Sequence, residues 1–127
     1  MNTNIVAYFE IQASEPKVLV DFYTSIFGWV CTKDEHIPIE YYRIETEGIR
    51  GAILKRPVAV PPLEYGTNAF TCSIKVLDFD AVAGKILEKG GKVAMPKFAV
   101  PGSCWQGYFV DPDNNVFGLF QPDENAK

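Results

Sequence analysis

One pattern of secondary-structure signals occurs twice in this chain of 127 residues, with an offset of 63 positions. Residues 6–30 (VAYFEIQASEPKVLVDFYTSIFGWV) align without a gap on residues 69–93 (AFTCSIKVLDFDAVAGKILEKGGKV), and Gly28 falls on Gly91. Each copy shows an alternating strand, an acidic residue at a turn, a helix with an apolar stripe, a glycine stop and a new strand. A chain that builds one supersecondary unit twice can bury each sheet against its helix and leave a concavity between the copies. We therefore expect the functional site in that concavity.

The first copy predicts a strand, a helix and three further strands. Residues 4–13 alternate between apolar and polar side chains, as a half-buried strand does. Glu15 and Pro16 mark the start of a helix, and Gly28 ends it in a conformation that costs glycine little. The apolar stripe of this helix consists of Val18, Leu19, Phe22, Tyr23 and Ile26. The strands that follow are predicted over residues 29–33, 41–46 and 49–55.

The second copy repeats this order after a proline-rich linker, residues 57–67. It opens with a strand over residues 69–76, and Asp78 is the predicted helix cap. Gly90 and Gly91 end the helix. The apolar stripe of this second helix consists of Phe79, Val82, Ile86 and Leu87. The later strands are predicted over residues 93–99, 105–110 and 116–121, the last two joined by a turn over residues 111–114.

These signals predict an α+β fold made of two tandem βαβββ modules. Module one covers about residues 1–56 and module two about residues 68–123 of a single domain, 1–127. Apolar residues make up 47% of the chain and charged residues 22%, which is typical of a folded globular protein with a proper core.

Charge and hydropathy exclude two classes of partner. The net charge is −4 and the Lys and Arg residues are scattered, so the chain lacks the clustered basic footprint that nucleic acid requires. The first ten residues do not form a secretion signal, and no apolar segment approaches the length that spans a membrane. We therefore expect a cytoplasmic protein without nucleic-acid or membrane partners.

Cysteine and histidine usage argues against disulfides and against the common metal sites. Cys31, Cys72 and Cys104 are widely spaced and form no CxxC pair, so three reduced thiols are expected. His36 is the one histidine, whereas catalytic zinc or iron sites usually use two or more imidazoles. We expect His36 to lie solvated on a loop; a gate residue, or a ligand shared across a dimer interface, is the alternative.

Three motifs in order resemble the vicinal oxygen chelate superfamily, which includes glyoxalase I, bleomycin-resistance proteins and extradiol dioxygenases. They are FYTSIFGW at residues 22–29, VLDFDAVAGKILEKGGKV at 76–93 and DPDNNVFGLFQ at 111–121. The resemblance implies that the two modules form curved mixed sheets around a central cleft. It also implies a homodimer.

In metal-dependent members of that superfamily, one side chain from each of four strands meets a divalent ion. Matching motif to motif places these positions on Tyr8, about Ile53, Thr71 and Gly118. Divalent ions require deprotonated oxygen, imidazole or thiolate donors, and none of the four supplies one. The chain is therefore predicted to keep the cleft without a metal, and no other cofactor is predicted.

The resemblance also indicates which side chains face the cleft. If Tyr8 faces it, strand alternation places Glu10 and Gln12 beside Tyr8, and Ser73 and Lys75 beside Thr71. Gly118 is expected to leave open space on the face that it shares with Phe120. The aromatic candidates for the ligand-binding wall, for each of which core packing is the alternative, are Tyr42, Trp105 and Tyr108.

Glu10 is the candidate catalytic residue, because a partly desolvated carboxylate suits proton transfer. The alternative is that Glu10 pairs with Lys75 or another cation and has a structural role.

The favoured interpretation is a metal-free protein that binds a small apolar or aromatic molecule through a few polar anchors, as bleomycin-sequestering members do. The alternative is a lyase or isomerase of the same superfamily, either metal-free with Glu10 as base or metal-dependent with atypical ligands. A regulatory subunit with a vestigial cleft is the third interpretation. The sequence does not identify the ligand or a reaction.

Overall fold

The computed structural model of the chain describes residues 8–56 and 71–127. The chain divides into two compact units, Met1–Pro61 and Pro62–Lys127. The elements of the first unit are β1 (Tyr8–Ala13), α1 (Pro16–Phe27), β2 (Val30–Lys33), β3 (Tyr41–Glu45) and β4 (Arg50–Lys55). Those of the second unit are β5 (Ser73–Lys75), α2 (Phe79–Glu88), β6 (Lys92–Val100), β7 (Cys104–Val110) and β8 (Val116–Pro122). The predicted linker, residues 57–67, and the predicted strand starts at residues 4 and 69 lie outside the described residues.

Each unit forms one sheet of four strands, and the two sheets have the same topology. The strand orders are β1-β4-β3-β2 and β5-β8-β7-β6. In each sheet the first and last strands of the unit pair in parallel, and the other neighbours are antiparallel. The predicted α+β class and the tandem βαβββ order are therefore confirmed.

Helix α1 begins and ends where its sequence signals predict. Glu15 holds the cap position, Pro16 follows it, and Gly28 ends the helix in the left-handed region with φ +70°. The buried side chains are Pro16, Leu19, Val20, Phe22, Tyr23 and Ile26. The prediction for Val18 is wrong, because it lies beyond the edge of the buried arc and is 47% exposed, whereas Val20 is buried.

Helix α2 is capped by Asp78, whose side chain accepts a hydrogen bond from the Ala81 amide at 3.1 Å. This confirms the predicted cap. Phe79 and Ile86 are buried, but Leu87 is 52% exposed, so the predicted stripe is wrong at that position. The helix has 10 residues against 12 in α1, and it buries two of them where α1 buries six.

Aromatic contacts show which face of each sheet its helix covers. In the first unit Phe9 of β1 contacts Trp29, and Trp29 stacks on Tyr23 of α1 with ring centroids 5.1 Å apart. In the second unit Phe109 of β7 lies 6.0 Å from Phe79 of α2. The face of each sheet opposite its helix is called here the open face. Residues that alternate with Phe9 and Phe109 along the strands belong to it.

The turn between β7 and β8 is built by Asp111, which is 3% exposed. Its Oδ1 accepts hydrogen bonds from the amides of Asp113 and Asn115, and Asn114 takes a left-handed conformation with φ 66°. The predicted turn is therefore confirmed, with asparagine at the position that tolerates positive φ.

The three cysteines are free, as predicted. Across residues 8–56 and 71–127, no helix has both the length and the apolar character needed to cross a membrane.

Replacing Asp78 by alanine is expected to lower the free energy of unfolding by about 1 kcal/mol, because the Ala81 amide loses its side-chain acceptor. The matched control is Glu15→Ala, since Glu15 holds the corresponding position of α1 and makes no side-chain cap hydrogen bond. Chemical denaturation followed by circular dichroism measures both losses. Equal losses in the two variants would show that the Asp78 side chain does not cap α2.

Candidate functional site

The open face of the first sheet gathers polar side chains from two strands that are far apart in sequence. The register places Glu10 of β1 opposite Ala52 of β4, and Ala52 opposite Arg43 of β3. Two residues further along the strands, Gln12 of β1 and Tyr41 of β3 lie opposite Leu54 of β4. Since directly opposed residues share a face, these side chains and that of Tyr8 lie on the open face.

Hydrogen bonds join four of these side chains into one chain, called here the hydroxyl chain. The Tyr41 hydroxyl donates to Oε2 of Glu10 at 3.2 Å. The hydroxyl oxygens of Tyr8 and Tyr41 are 2.7 Å apart, and Nη1 of Arg43 donates to the Tyr8 hydroxyl at 3.3 Å. A phenol has one proton, and Tyr41 uses it toward Glu10, so Tyr8 donates to Tyr41. Tyr8 in turn accepts from Arg43.

Asp34, in the loop after β2, anchors the other end of the hydroxyl chain. Its Oδ2 accepts from Nε of Arg43 at 2.7 Å, and its Oδ1 accepts from the His36 amide at 3.0 Å. These two donors, the His36 amide first, hold the pKa of Asp34 below its ordinary value. The Arg43 guanidinium also lies over the Tyr41 ring, 5.4 Å from its centroid. The position of Arg43 is thus fixed from two sides.

The Tyr41 phenol has a strongly perturbed ionisation. Its pKa is raised above the ordinary value of 10.0, first because burial disfavours the phenolate. The hydrogen bond with Tyr8 and the neighbouring Glu10 carboxylate raise the pKa further. Tyr41 is only 9% exposed, whereas Tyr8 is 40% exposed and Glu10 is exposed. The expectation that Glu10 is partly desolvated is therefore wrong, and a catalytic role for it stays a prediction.

An open depression of about 350 Å³ adjoins the hydroxyl chain at Arg43. Its lining includes Lys33, Asp34, His36 and Glu45. His36 is exposed in the loop between β2 and β3, as predicted.

The structure does not bring Tyr42 or Trp105 to the open faces. Tyr42 pairs with Ile53, which pairs with Ile11 on the α1 side of the sheet, and the Tyr42 hydroxyl donates to Glu40 at 3.0 Å. Trp105 lies on the α2 side and donates its indole N–H to Asp123 at 3.0 Å.

Lys97 fixes the side on which Trp105 lies. The Lys97 ammonium is 4.8 Å from the centroid of the Trp105 ring and 5.5 Å from that of Phe79 in α2. The Trp105 ring therefore lies on the same side of the sheet as Phe79 of α2. For Trp105 this agrees with the packing role that was the alternative to a place in the ligand-binding wall.

The second unit presents a different set of side chains on its open face. The register places Ser73, Gly118 and Tyr108 opposite one another, and then Lys75, Phe120 and Gln106. Five of these six are predicted site residues. Thr71 precedes β5 and is exposed.

The expectation of open space at Gly118 is wrong. A Cβ on Gly118 would collide with Ser73 Oγ and would lie 2.8 Å from Gln106 Nε2. These two side chains fill the position and bond each other, since Gln106 Nε2 donates to Ser73 Oγ at 3.1 Å. Gln106 was not among the predicted site residues.

The structure describes the side chains at the four positions that the resemblance assigns to metal ligands. The Tyr8 hydroxyl is engaged in the hydroxyl chain, and Ile53 is fully buried on the α1 side of its sheet. Gly118 pairs with Ser73 as Ala52 pairs with Glu10, so Ala52 is the counterpart of Gly118 in the first sheet. Neither has a donor side chain. Over residues 8–56 and 71–127, no three His, Cys, Asp or Glu side chains form a group that could hold a metal ion.

Comparison with known proteins points to one family. A sequence model of the Glyoxalase/Bleomycin resistance protein/Dioxygenase superfamily matches residues 5–119. The putative glyoxylase CFP32 of Mycobacterium tuberculosis and of Mycobacterium bovis is 27% identical over 118 residues, which is 91% of this chain. The match covers 45% of those relatives, so the chain spans about half of their length.

Solved structures show the same fold. The fosfomycin resistance protein FosX from Listeria monocytogenes superposes with a TM-score of 0.73 at 17% identity, over 97% of this chain and 96% of that one. A glyoxalase/bleomycin resistance protein/dioxygenase family enzyme from Burkholderia phytofirmans gives a TM-score of 0.73 at 15% identity, over 92% and 98% of the two chains. At these identities the likeness concerns the fold alone.

The Tyr41 phenol is expected to stay protonated at a pH where exposed tyrosines ionise. The difference between the tyrosinate absorbance titrations of the wild-type protein and of Tyr41→Phe isolates this group, with circular dichroism as the check that both remain folded. A difference curve with its midpoint at the ordinary value of 10.0 would contradict the burial of this hydroxyl.

The same shift predicts a loss of stability in alkali. The folded protein holds the Tyr41 proton more tightly than the unfolded chain does. The stabilisation is therefore complete below the unfolded pKa and is lost as the pH rises through the higher folded pKa.

Proposed function

Because the chain belongs to the Glyoxalase/Bleomycin resistance protein/Dioxygenase superfamily, we propose that it binds a small organic molecule on the open face of its first sheet. Tyr8 and Glu10, two of the three exposed members of the hydroxyl chain, contact the apolar or aromatic body and the polar group of the ligand. Tyr41 and Arg43 hold them in place. The observation that carries the proposal is the hydroxyl chain itself, in which the buried Tyr41 links the exposed side chains of Glu10, Tyr8 and Arg43 on the face opposite α1.

Preorganisation supports a binding role. The Tyr41 hydroxyl holds one oxygen of Glu10, and Asp34 and Tyr41 fix Arg43 from two sides. A ligand that meets side chains already in position does not have to order them, so less of the interaction free energy is lost on binding. A tyrosine ring that is 40% exposed beside a carboxylate also supplies the combination of apolar surface and polar anchor typical of small-molecule sites.

Two neighbouring tyrosines give a matched test of this site. A fragment screen by NMR with small aromatic compounds supplies a ligand, and its dissociation constant is then measured for Tyr41→Phe and Tyr42→Phe. We expect Tyr41→Phe to weaken binding by about tenfold, because Glu10 and Tyr8 lose their shared partner. Tyr42→Phe removes the same atom from the α1 side of the same strand and should leave binding within about twofold. Equal effects of the two variants would contradict a site on the open face.

We further propose that binding does not use a divalent ion, because the positions that the resemblance assigns to metal ligands carry Tyr8, Thr71, Gly118 and about Ile53. Ala52, which takes the place of Ile53 on the open face, has no donor either. Zinc, nickel and manganese are each expected to leave the melting temperature of the chelator-treated protein unchanged. Elemental analysis of the protein as purified is expected to find no stoichiometric transition metal. A stabilisation that saturates at one ion per chain would contradict the proposal.

A further inference from the structure

The charges and proton positions of the hydroxyl chain indicate which class of ligand its face selects. Resting on the proposed function, we infer that the open face of the first sheet binds a ligand with a protonated amine, or another cationic hydrogen-bond donor, in preference to an anion. The amine donates to Glu10, and the apolar body of the ligand lies against Tyr8.

The hydroxyl protons of the chain all point toward Glu10. Tyr41 donates its proton to Oε2 of Glu10, and Tyr8 donates its own to Tyr41. Neither phenol has a second proton. The oxygens of the hydroxyl chain therefore offer a ligand acceptors only: Glu10 Oε1, to which the described residues donate no hydrogen bond, and the second lone pair of the Tyr8 oxygen, since the first accepts from Arg43. The N–H groups that Arg43 keeps lie beside the Asp34 carboxylate. An acceptor surface of this kind favours a donor ligand.

Arg43, the cation of the hydroxyl chain, is already compensated by Asp34. Nε of Arg43 lies 2.7 Å from the Asp34 carboxylate, and Nη1 donates to Tyr8. An anionic ligand would have to share Arg43 with Asp34, so it would meet repulsion as well as attraction. Glu10, in contrast, has the neutral phenol of Tyr41 as its hydrogen-bond partner and pairs with no cation among the described residues.

The surroundings add to the negative charge. The charged side chains of the adjoining depression are Lys33, Arg43, Asp34, Glu35 and Glu45. With Glu10, and with Arg50 of β4, which pairs with Tyr8, four carboxylates face three cations, which leaves this surface negative by one charge when His36 is neutral. The exposed ring of Tyr8 attracts a cation further through its π-face, as the Tyr41 ring already does with Arg43.

Three small ligands of one shape and different charge test the inference on the full chain. Benzylamine, benzyl alcohol and benzoate share a phenyl ring and are cationic, neutral and anionic near neutral pH. NMR titration at millimolar concentrations measures their dissociation constants. We expect benzylamine to bind more tightly than benzyl alcohol, and at least about tenfold more tightly than benzoate. Amide shifts at Glu10 and Tyr8 should locate the binding.

Glu10→Gln identifies the group responsible. This variant is expected to raise the dissociation constant of benzylamine by about tenfold and to leave that of benzyl alcohol within about twofold of the wild-type value. Glu88→Gln is the control, since it removes one exposed carboxylate at the end of α2 and so changes the net charge equally. The ranking of the three ligands in the wild-type protein needs no variant, so it decides the inference even if Glu10→Gln does not fold.

The outcomes separate this inference from the function on which it rests. Benzoate binding as tightly as benzylamine, or equal losses in Glu10→Gln and Glu88→Gln, would overturn the cation preference and leave small-molecule binding on this face in place. Failure of all three ligands to shift the resonances of Glu10 and Tyr8, while other aromatic fragments do, would overturn the preference alone. If no aromatic fragment shifts them, both are overturned.

Discussion

The parallel pairing of β1 with β4 is the constraint on which the first unit depends. It places Phe9 opposite Gly51, and the approach is so close that a Cβ on Gly51 would lie 2.5 Å from the Phe9 ring. A shift of one residue would turn Phe9 away from α1 and bring Glu10 under the helix. The ladder that buries an aromatic ring on one face therefore also keeps Glu10 on the other. The register of β1 with β4 thus determines both the packing against α1 and the position of Glu10 in the candidate site.

The two units share a topology and differ in chemistry at corresponding positions. Glu10 and Ser73 are 63 positions apart, and so are Arg43 and Gln106. In the first unit these positions belong to a charged chain of hydrogen bonds that runs through two phenols. In the second they form a single neutral bond of 3.1 Å. A sheet that occurs twice thus offers two surfaces of different polarity on the same backbone plan.

Most of the fold follows from local signals in the sequence. Pro16, Gly28 and Asp78 act through their own backbone preferences and short-range hydrogen bonds, so their effects can be read without knowing what packs against them. The apolar pattern of a helix predicts burial less well at the edges of its apolar stripe. Val18 and Leu87 are apolar, but each lies outside the arc that its sheet covers.

The candidate site was only partly predictable, because it depends on which side of a strand each residue faces. Tyr41 and Tyr42 are adjacent and identical, and no local signal tells which of them faces α1. Only the register with Leu54 and Ile53 decides it. Asp34 lies in a loop, where alternation gives no direction, and its contact with Arg43 is set by the path of that loop. Tyr8, Glu10 and Gln12 were placed correctly on one face because alternation along a single strand suffices for that.

The crowding around Gly118 limits how this scaffold can change. Introducing a glutamate there would force its Cβ against Ser73 and Gln106, so the acid could enter only after both neighbours had become smaller or moved. Each of those changes on its own removes a hydrogen bond and restores no coordination. A carboxylate at position 118 and the bond between Ser73 and Gln106 therefore compete for the same space on the second sheet.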